Sequence, residues 1–549
     1  MDTSPQTKSG ASRAPACLPN EGRRGWFRFG VADLLLLVLV IGMVQRSQGS
    51  MLDDPGLGWH LRNVDAMWAE GGWLTQDPFS GPRNGQPWRT NQWLGDLVLY
   101  FGWWWGGMEG IAAVTTLVLA FSFRFLYRML LADDVPWPLA LGWTILAALG
   151  TSLAWAARPN IFTLLLVMVT AWTLDRYHRG RCRRATTWWL VPLFTLWANT
   201  HGGFVAGLIL IAATMVVESG FNLFAAGVHR SQANNRLKHL ACLLPACILA
   251  TLVNPYGWSL YPWIFQLLGN EFFMNLHTEW LSPNFHARGA IRFEFLILLF
   301  PTLLAFGRRR TISLVELAHS ILWLHFAFSG ERYVPLWVVV SVPLMARLSA
   351  DVLVRLRRLS DPWVRPSQVL LPVGSPLGAL LITLGLLVWA RGTEGYSGHH
   401  PNNVPVDALT YVVEHHAGDV IFHDYGWGGW LIWHGWPTTK SWIDDRNEVQ
   451  GEAQIERYFR IVEAREGWNG ELARVGTTVA CISAQSRLAE HLANDASWQL
   501  RYRDKFAVVY ELAVAESAQS NDSEKSIPVT EPSNSRENGE LSLLRDLRQ

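Results

Sequence analysis

Shortly after residue 50 the chain reads Asp53-Asp54-Pro55-Gly56-Leu57-Gly58-Trp59-His60. Two adjacent carboxylates offer hard oxygen ligands to a divalent cation such as Mg or Mn. Asp54 or His60 also suits the work of a general base. The plain alternative is a solvated turn that opens an interfacial helix, with Asp54 as its cap. Further polar groups recur at the ends of apolar runs: Arg158-Pro159-Asn160, Asn199-Thr200-His201-Gly202-Gly203, Asn254-Pro255-Tyr256-Gly257 and Gly330-Glu331-Arg332-Tyr333, with Glu279-Trp280 between the last two. A guanidinium stays charged and grips phosphate oxygens in a fork, which suits Arg158 and Arg332 to an anionic leaving group. Either arginine can equally snorkel to lipid phosphates. His201 also reads as a satisfied residue of a tight turn, and Asn254 to Gly257 as a helix stop.

The elements that must hold these residues are apolar. Of 549 residues, 50% are hydrophobic, 17% are charged and 30 are tryptophan, against about a quarter charged in a typical soluble domain. A bilayer core takes about 20 apolar residues as a helix. Eleven candidate spans follow, at about 29–46, 94–122, 136–156, 160–176, 187–200, 203–222, 239–254, 292–307, 312–329, 333–349 and 368–390, the second reading either as one span or as a surface helix plus a span. Lys and Arg gather in alternate connectors, as at Arg124 and Arg128, Arg176 to Arg184, Arg230 to Lys238, Arg308 to Arg310 and Arg355 to Arg358. Positive loops stay on the cytoplasmic side. The amino terminus is therefore expected inside and everything after Ala390 outside, as in a multi-pass protein of the plasma (inner) membrane.

This reading makes residues 1–28 a cytoplasmic polar leader and 29–390 a helical bundle with outer loops at 47–93 and 255–291. Residues 400–515 form a small extracytoplasmic α/β domain, with 516–549 a disordered tail. The runs Asp419–His423, Trp430–Trp433, Thr478–Ile482 and Phe506–Tyr510 read as strands, and Glu452–Ala464 and Ala484–Asn494 as helices. The fold class is thus mainly α, a polytopic membrane bundle carrying a small α/β domain. A formal net charge of +1 gives no basic field for nucleic acid. The five cysteines, Cys17, Cys182, Cys242, Cys247 and Cys481, form no metal or redox spacing.

On these residues the chain resembles the glycosyltransferase C superfamily. The motifs are the acidic first outer loop with Asp77-Pro78-Phe79-Ser80 and Trp93-Leu94, then Arg158-Pro159-Asn160, Trp197 to Gly203, Asn254 to Gly257, Glu279-Trp280, the Arg332 boundary and the outward α/β domain. The resemblance implies a membrane enzyme that moves a hexose or pentose from a polyprenyl-phosphate carrier to a lipid, glycan or protein acceptor on the outer face. The family's essential carboxylate, often within Asp-x-Asp, falls on Asp54. Here Gly56 stands two residues on and Asp53 precedes it, which departs from that pattern and bears on metal use through Asp53 and Asp54. Phe422-His423-Asp424-Tyr425-Gly426 resembles the Trp-Trp-Asp-Tyr-Gly signature of oligosaccharyltransferases without its tryptophans, and Asp424 to Gly429 also reads as a glycine-rich turn between strands.

The expected chemistry is an inverting transfer. Asp54, with Glu279 or His60, positions or deprotonates the acceptor hydroxyl, while Arg332, Arg158 and His201 face the lipid phosphate. A flippase for lipid-linked sugars would use a similar polar chamber, but it is expected to show repeated halves with helices broken at the midplane. A non-catalytic scaffold with an outer binding domain is the third class. Eight tryptophans fall between Trp59 and Trp105 and seven between Trp427 and Trp498, so half belong to the expected outer parts, where flat apolar faces suit sugar rings or domain packing.

Overall fold

The computed structural model describes residues 29–46, 51–356, 374–392 and 404–513. The polar leader, Arg357 and Arg358, the start of the last expected span and the carboxy-terminal tail lie outside the described residues. The bundle helices are α1 (Val31–Arg46), α2 (Leu57–Ala69), α3 (Trp93–Ala132), α4 (Trp137–Gly150), α5 (Ile161–His178), α6 (Arg184–Thr187), α7 (Leu190–Thr200), α8 (Phe204–Phe224), α9 (Gly227–Thr251), α10 (Leu260–Leu268), α11 (Glu271–Leu276), α12 (Ile291–Phe306), α13 (Leu314–Ser329), α14 (Val334–Arg355) and α15 (Pro376–Gly392).

A helix stands at each of the eleven expected positions, but the expected number of spans is corrected. Among the described residues, three helices are long and apolar enough to cross a membrane by length and composition: α3, α8 and the Glu331–Arg355 stretch that contains α14. Four others, in α1, α4, α13 and α15, are apolar but shorter. Helix α9 has the length, 25 residues, but carries Arg230, Arg236 and Lys238, and for the short helices the reason is geometric. At 1.5 Å per residue, the 11 residues of α7 or the 14 of α4 fall well short of a hydrocarbon core about 30 Å thick. Helix α3 shows the split its sequence allowed, because Gly106 and Gly107 leave the helical region and Gly107 has φ +60°, a conformation that glycine adopts without a Cβ penalty.

The far ends of α3 and α5 meet α13 and α14 in a buried ionic knot. Asp133 takes Arg179 at 3.1 Å, Arg181 at 3.3 Å and Arg347 at 3.3 Å, Arg347 also pairs with Glu316, and Arg179 with Asp175. Several arginines that mark the expected cytoplasmic connectors are thus spent on buried carboxylates.

The carboxy-terminal domain is α/β. Its elements are α16 (Val406–His415), β1 (Val420–His423), α17 (Gly428–Gly435), β2 (Lys440–Ser441), α18 (Asn447–Gln450), α19 (Glu452–Val462), α20 (Trp468–Arg474), β3 (Val479–Ser483), α21 (Arg487–Asn494), β4 (Trp498–Arg503) and β5 (Ala507–Leu512). The strand order is β2-β1-β3-β5-β4, with β1 parallel to β2 and β3, and β5 antiparallel to β3 and β4. Side chains alternate across the sheet. Phe422, Ala480 and Val508 pack with Ile455, Ile461 and Leu492 on one face, and Ile421, Val479 and Val509 with Leu409, Val412 and Leu431 on the other.

The expected strand Trp430–Trp433 is a correction: it belongs to helix α17. A short apolar run does not distinguish a buried helix from a buried strand. Here two glycines decide the placement, because α17 crosses α2 in backbone contact. A Cβ on Gly58 would stand 1.9 Å from the Gly429 carbonyl oxygen, and one on Gly429 would stand 1.8 Å from that of Pro55.

Candidate functional site

The loop bearing Asp54 is fastened to the carboxy-terminal domain from both sides. Residues Phe79 to Gly81 lie along the edge strand β2, with the Gly81 N–H donating to the Ser441 carbonyl at 2.8 Å and Ser80 bridged to Ser441. Beneath them Arg446 is fully buried. It donates to Asp77 at 2.8 Å and to Asp444 at 2.7 Å, with its guanidinium carbon 4.4 Å from the Trp88 ring centre. One arginine between two carboxylates, with Ser80 and Gln450 completing the hydrogen bonds, satisfies the charges that burial would otherwise penalise.

That junction sets Asp445 beside Asp54. The Asp54 Oδ1 accepts the Gly56 N–H at 2.8 Å, and its Oδ2 is paired with Arg158 Nε. The second arm of Arg158, Nη2, lies 3.4 Å from Asp445 Oδ2. The Trp59 indole N–H donates to Asp445 Oδ1 at 2.8 Å. Arg158 is placed by backbone: the Ala157 N–H donates to the Met51 carbonyl at 2.8 Å, and Pro159 packs so tightly on Gly95 of α3 that a Cβ there would approach it to 2.6 Å. A charged centre thus comes from three separate stretches of chain.

The other expected residues surround it. His60 stacks on Trp59 with ring centres 3.7 Å apart and donates through Nδ1 to Asp96 at 2.7 Å, while Asn63 donates to the second Asp96 oxygen at 2.6 Å. An Nδ1–H held by a carboxylate leaves Nε2 as the basic nitrogen. His201 follows α7 and has the opposite tautomer, because its Nδ1 accepts the Gly203 N–H at 3.0 Å and faces Thr163 Oγ1 at 2.9 Å. Burial first, then the charges of Arg332 and His60, lower its pKa to about 3. His201 is therefore a neutral N–H donor at physiological pH.

Glu279 and Arg332 occupy two 3-10 turns, Thr278–Trp280 and Glu331–Tyr333, tied by the Glu331 N–H donating to the Leu281 carbonyl at 2.9 Å. Arg332 lies over the Trp280 ring at 3.6 Å and within 3.6 Å of Glu279. Arg158 is held above its ordinary value by Asp54, Asp445 and Glu279, which outweigh burial. Asp54, His60, Arg158, His201, Glu279 and Arg332 are thus one electrostatic neighbourhood. It opens toward Glu279, whose side chain is 46% exposed against 5% for Asp54.

A resident cation between Asp53 and Asp54 does not fit this arrangement. Both Asp54 oxygens are engaged, and the Arg158 guanidinium occupies the place of positive charge. Asp133, Asp175 and Glu316 form an acidic group close enough to share an ion, but it lies in the far ionic knot, where arginines already meet each carboxylate. The plainer readings explain other motifs. Asn254 caps its own turn and Tyr256 pins the first outer loop through Thr90 at 2.6 Å and the Leu74 carbonyl at 2.9 Å. Asp424 accepts from the Ser483 N–H at 3.2 Å, and of the glycines after it Gly429 serves the α2–α17 crossing.

Sequence reasoning missed Asp445, Asp96 and the clamp of Asp77, Asp444 and Arg446. The run Asp444-Asp445-Arg446-Asn447-Glu448, set among apolar residues, carried a signal that something in it is buried and paired.

The comparisons assign this architecture to a fold class. The chain shares its fold with a solved oligosaccharyltransferase. An archaeal oligosaccharyltransferase, AglB from Archaeoglobus fulgidus, solved with an inhibitory peptide and a dolichol-phosphate, aligns with a TM-score of 0.54 at 12% identity, over 89% of this chain and 75% of that one. ArnT from Cupriavidus metallidurans, solved with undecaprenyl phosphate, aligns at 0.47 and 15% identity over 87% and 97%. The mycobacterial arabinofuranosyltransferase AftD aligns at 0.47 and 14% over 89% and 41%. No protein-family model matches the chain, and no curated protein matches it.

Proposed function

We propose that the protein transfers a sugar from a polyprenyl-phosphate carrier to an acceptor on the outer face of the membrane. The observation that carries the reading is Arg158 held between Asp54 and Asp445, with the Arg332–Glu279 pair on the open side. The fold shared with AglB, which was solved with a dolichol-phosphate, supports a lipid-linked donor. In this reading Arg332, Arg158 and the His201 Nε2–H meet the phosphate that leaves, where fixed positive charge and donors act on charge as it develops. The carboxylates orient and deprotonate the attacking hydroxyl. The charge of the connectors supports an outward placement of the carboxy-terminal domain.

The test is mass spectrometry of lipid-linked sugars in cells with and without the gene, repeated with Asp54→Asn. One carrier-linked species should accumulate in the deletion and in the variant. Unchanged pools in the deletion would overturn the reading, and normal turnover by Asp54→Asn would remove Asp54 from it.

A further inference from the structure

We infer that Asp445, supplied by the carboxy-terminal domain, is the group that takes the proton of the acceptor hydroxyl, and that Asp54 holds Arg158 in place for it. The inference rests on the sugar-transfer reading above.

Hydrogen bonding separates the two carboxylates. Asp54 has one oxygen on the Gly56 N–H at 2.8 Å and the other paired with Arg158 Nε, so both are committed to donors. Asp445 has one oxygen on the Trp59 N–H at 2.8 Å, while its Oδ2 accepts a longer, 3.4 Å hydrogen bond from Arg158 Nη2. That long bond leaves the second lone pair of Oδ2 to a proton. Access agrees, since the Asp445 side chain is 13% exposed and that of Asp54 is 5%. Room for the arrangement depends on Gly56, where a Cβ would come within 2.7 Å of Asp445 Oδ2.

Electrostatics act in the same direction. Burial raises the Asp445 pKa; Arg158 lowers it, Asp54 and Asp444 raise it again, and the Trp59 N–H lowers it. Glu448 and the Tyr425 phenol also face Asp445, and Arg446 on the same segment is neutralised by Asp77 and Asp444. In the step, the acceptor oxygen bonds to the anomeric carbon as the bond from that carbon to the phosphate oxygen breaks. The hydroxyl proton passes to Asp445 Oδ2, and the carrier leaves as polyprenyl phosphate with one more negative charge, so charge and atoms balance.

The experiment uses the full chain in proteoliposomes, supplied with the lipid-linked sugars extracted from cells that lack the gene. Turnover is followed across pH, and binding of undecaprenyl phosphate and dolichol-phosphate is titrated separately. Asp445→Asn should lower turnover about a hundredfold or more and leave carrier binding within about twofold. Trp59→Phe removes an N–H donor from ionised Asp445, so the acid limb of the turnover profile should move to higher pH. Asp445→Asn turnover within about threefold of the parent, parallel loss of carrier binding, or an unmoved limb in Trp59→Phe would each overturn the assignment. If the parent itself consumes no lipid-linked sugar, the sugar-transfer reading fails and the assignment fails with it.

Discussion

The indole nitrogen of Trp59 donates a 2.8 Å hydrogen bond to Asp445, 386 residues further along the chain. Through this bond the first large loop and the carboxy-terminal domain share one charged centre, so the domain is a wall of the site rather than an appendage. Neither part alone would present both Asp54 and Asp445 to Arg158.

The Asp77–Arg446–Asp444 clamp should be the most sensitive point of that junction. Arg446→Met strands two buried carboxylates, and breaking a buried pair from one side costs about 3–5 kcal/mol. A clear drop in the thermal unfolding midpoint of the carboxy-terminal domain is expected, with partial recovery in the triple variant Asp77→Asn, Asp444→Asn, Arg446→Met. Equal midpoints for the parent and Arg446→Met would show that the clamp is not structural.

Gly429→Ala should separate the domain from the loop without touching any ionisable group. The added methyl meets the Pro55 carbonyl at 1.8 Å, and a shift large enough to relieve it moves α2 and Trp59. Proteolysis should then cut the 51–92 loop faster than in the parent. Gly426→Ala, with open space at its Cβ position, serves as the silent control.

Arg332→Lys distinguishes charge from shape. Lysine keeps the positive charge but loses the planar fork stacked 3.6 Å over Trp280. Carrier-phosphate affinity should fall roughly tenfold for Lys and further for Ala, read by titration with undecaprenyl phosphate. Unchanged affinity in Arg332→Ala would remove the arginine from phosphate binding.

His201 predicts an acid dependence of stability. Its folded-state pKa of about 3 lies below the unfolded value of about 6.5, so between those pH values the unfolded chain binds more protons. Stability therefore rises with pH through that window and is fully present above it. His201→Gln, which keeps an amide donor without titrating, should flatten the denaturation profile between about pH 6.5 and 3. An identical slope would place the proton elsewhere.

Asp424 runs in the opposite sense. Burial raises its carboxyl to about 6, so between the unfolded value of about 3.9 and that point the folded domain binds more protons and loses stability as pH rises. Asp424→Asn should stabilise the protein at pH 7.5 by about 1–2 kcal/mol, discounted for its partial exposure, and do nothing near pH 3.5. A destabilised variant at pH 7.5 would mean that the ionised form is bound by something else.

Local signals served the reading of the chain well where one stretch of sequence carried the whole answer. Apolar runs placed a helix at each of the eleven expected positions, because hydrophobic periodicity is local. The same signals overstated the spans, since helices that pack inside a bundle can be shorter than the bilayer they sit in. They also misread Trp430–Trp433, where α2 and the sheet bury a helix on both sides and erase its amphipathic pattern. Polar residues at helix ends marked Asp54, Arg158, His201, Glu279 and Arg332 because an ionisable group beside an apolar run needs a partner.

The amino-acid order by itself determined the helical bundle, the appended α/β domain and the gathering of ionisable residues at chain reversals. Tertiary structure alone decided which of them meet. Pairing Arg158 with Asp54 and Asp445 depends on a backbone bond from Ala157 to Met51, a glycine crossing at Gly58 and Gly429, and a buried arginine hundreds of residues from its partner Asp77. Those contacts are set by packing and by the need to neutralise buried charge, and neither condition leaves a periodic trace in sequence.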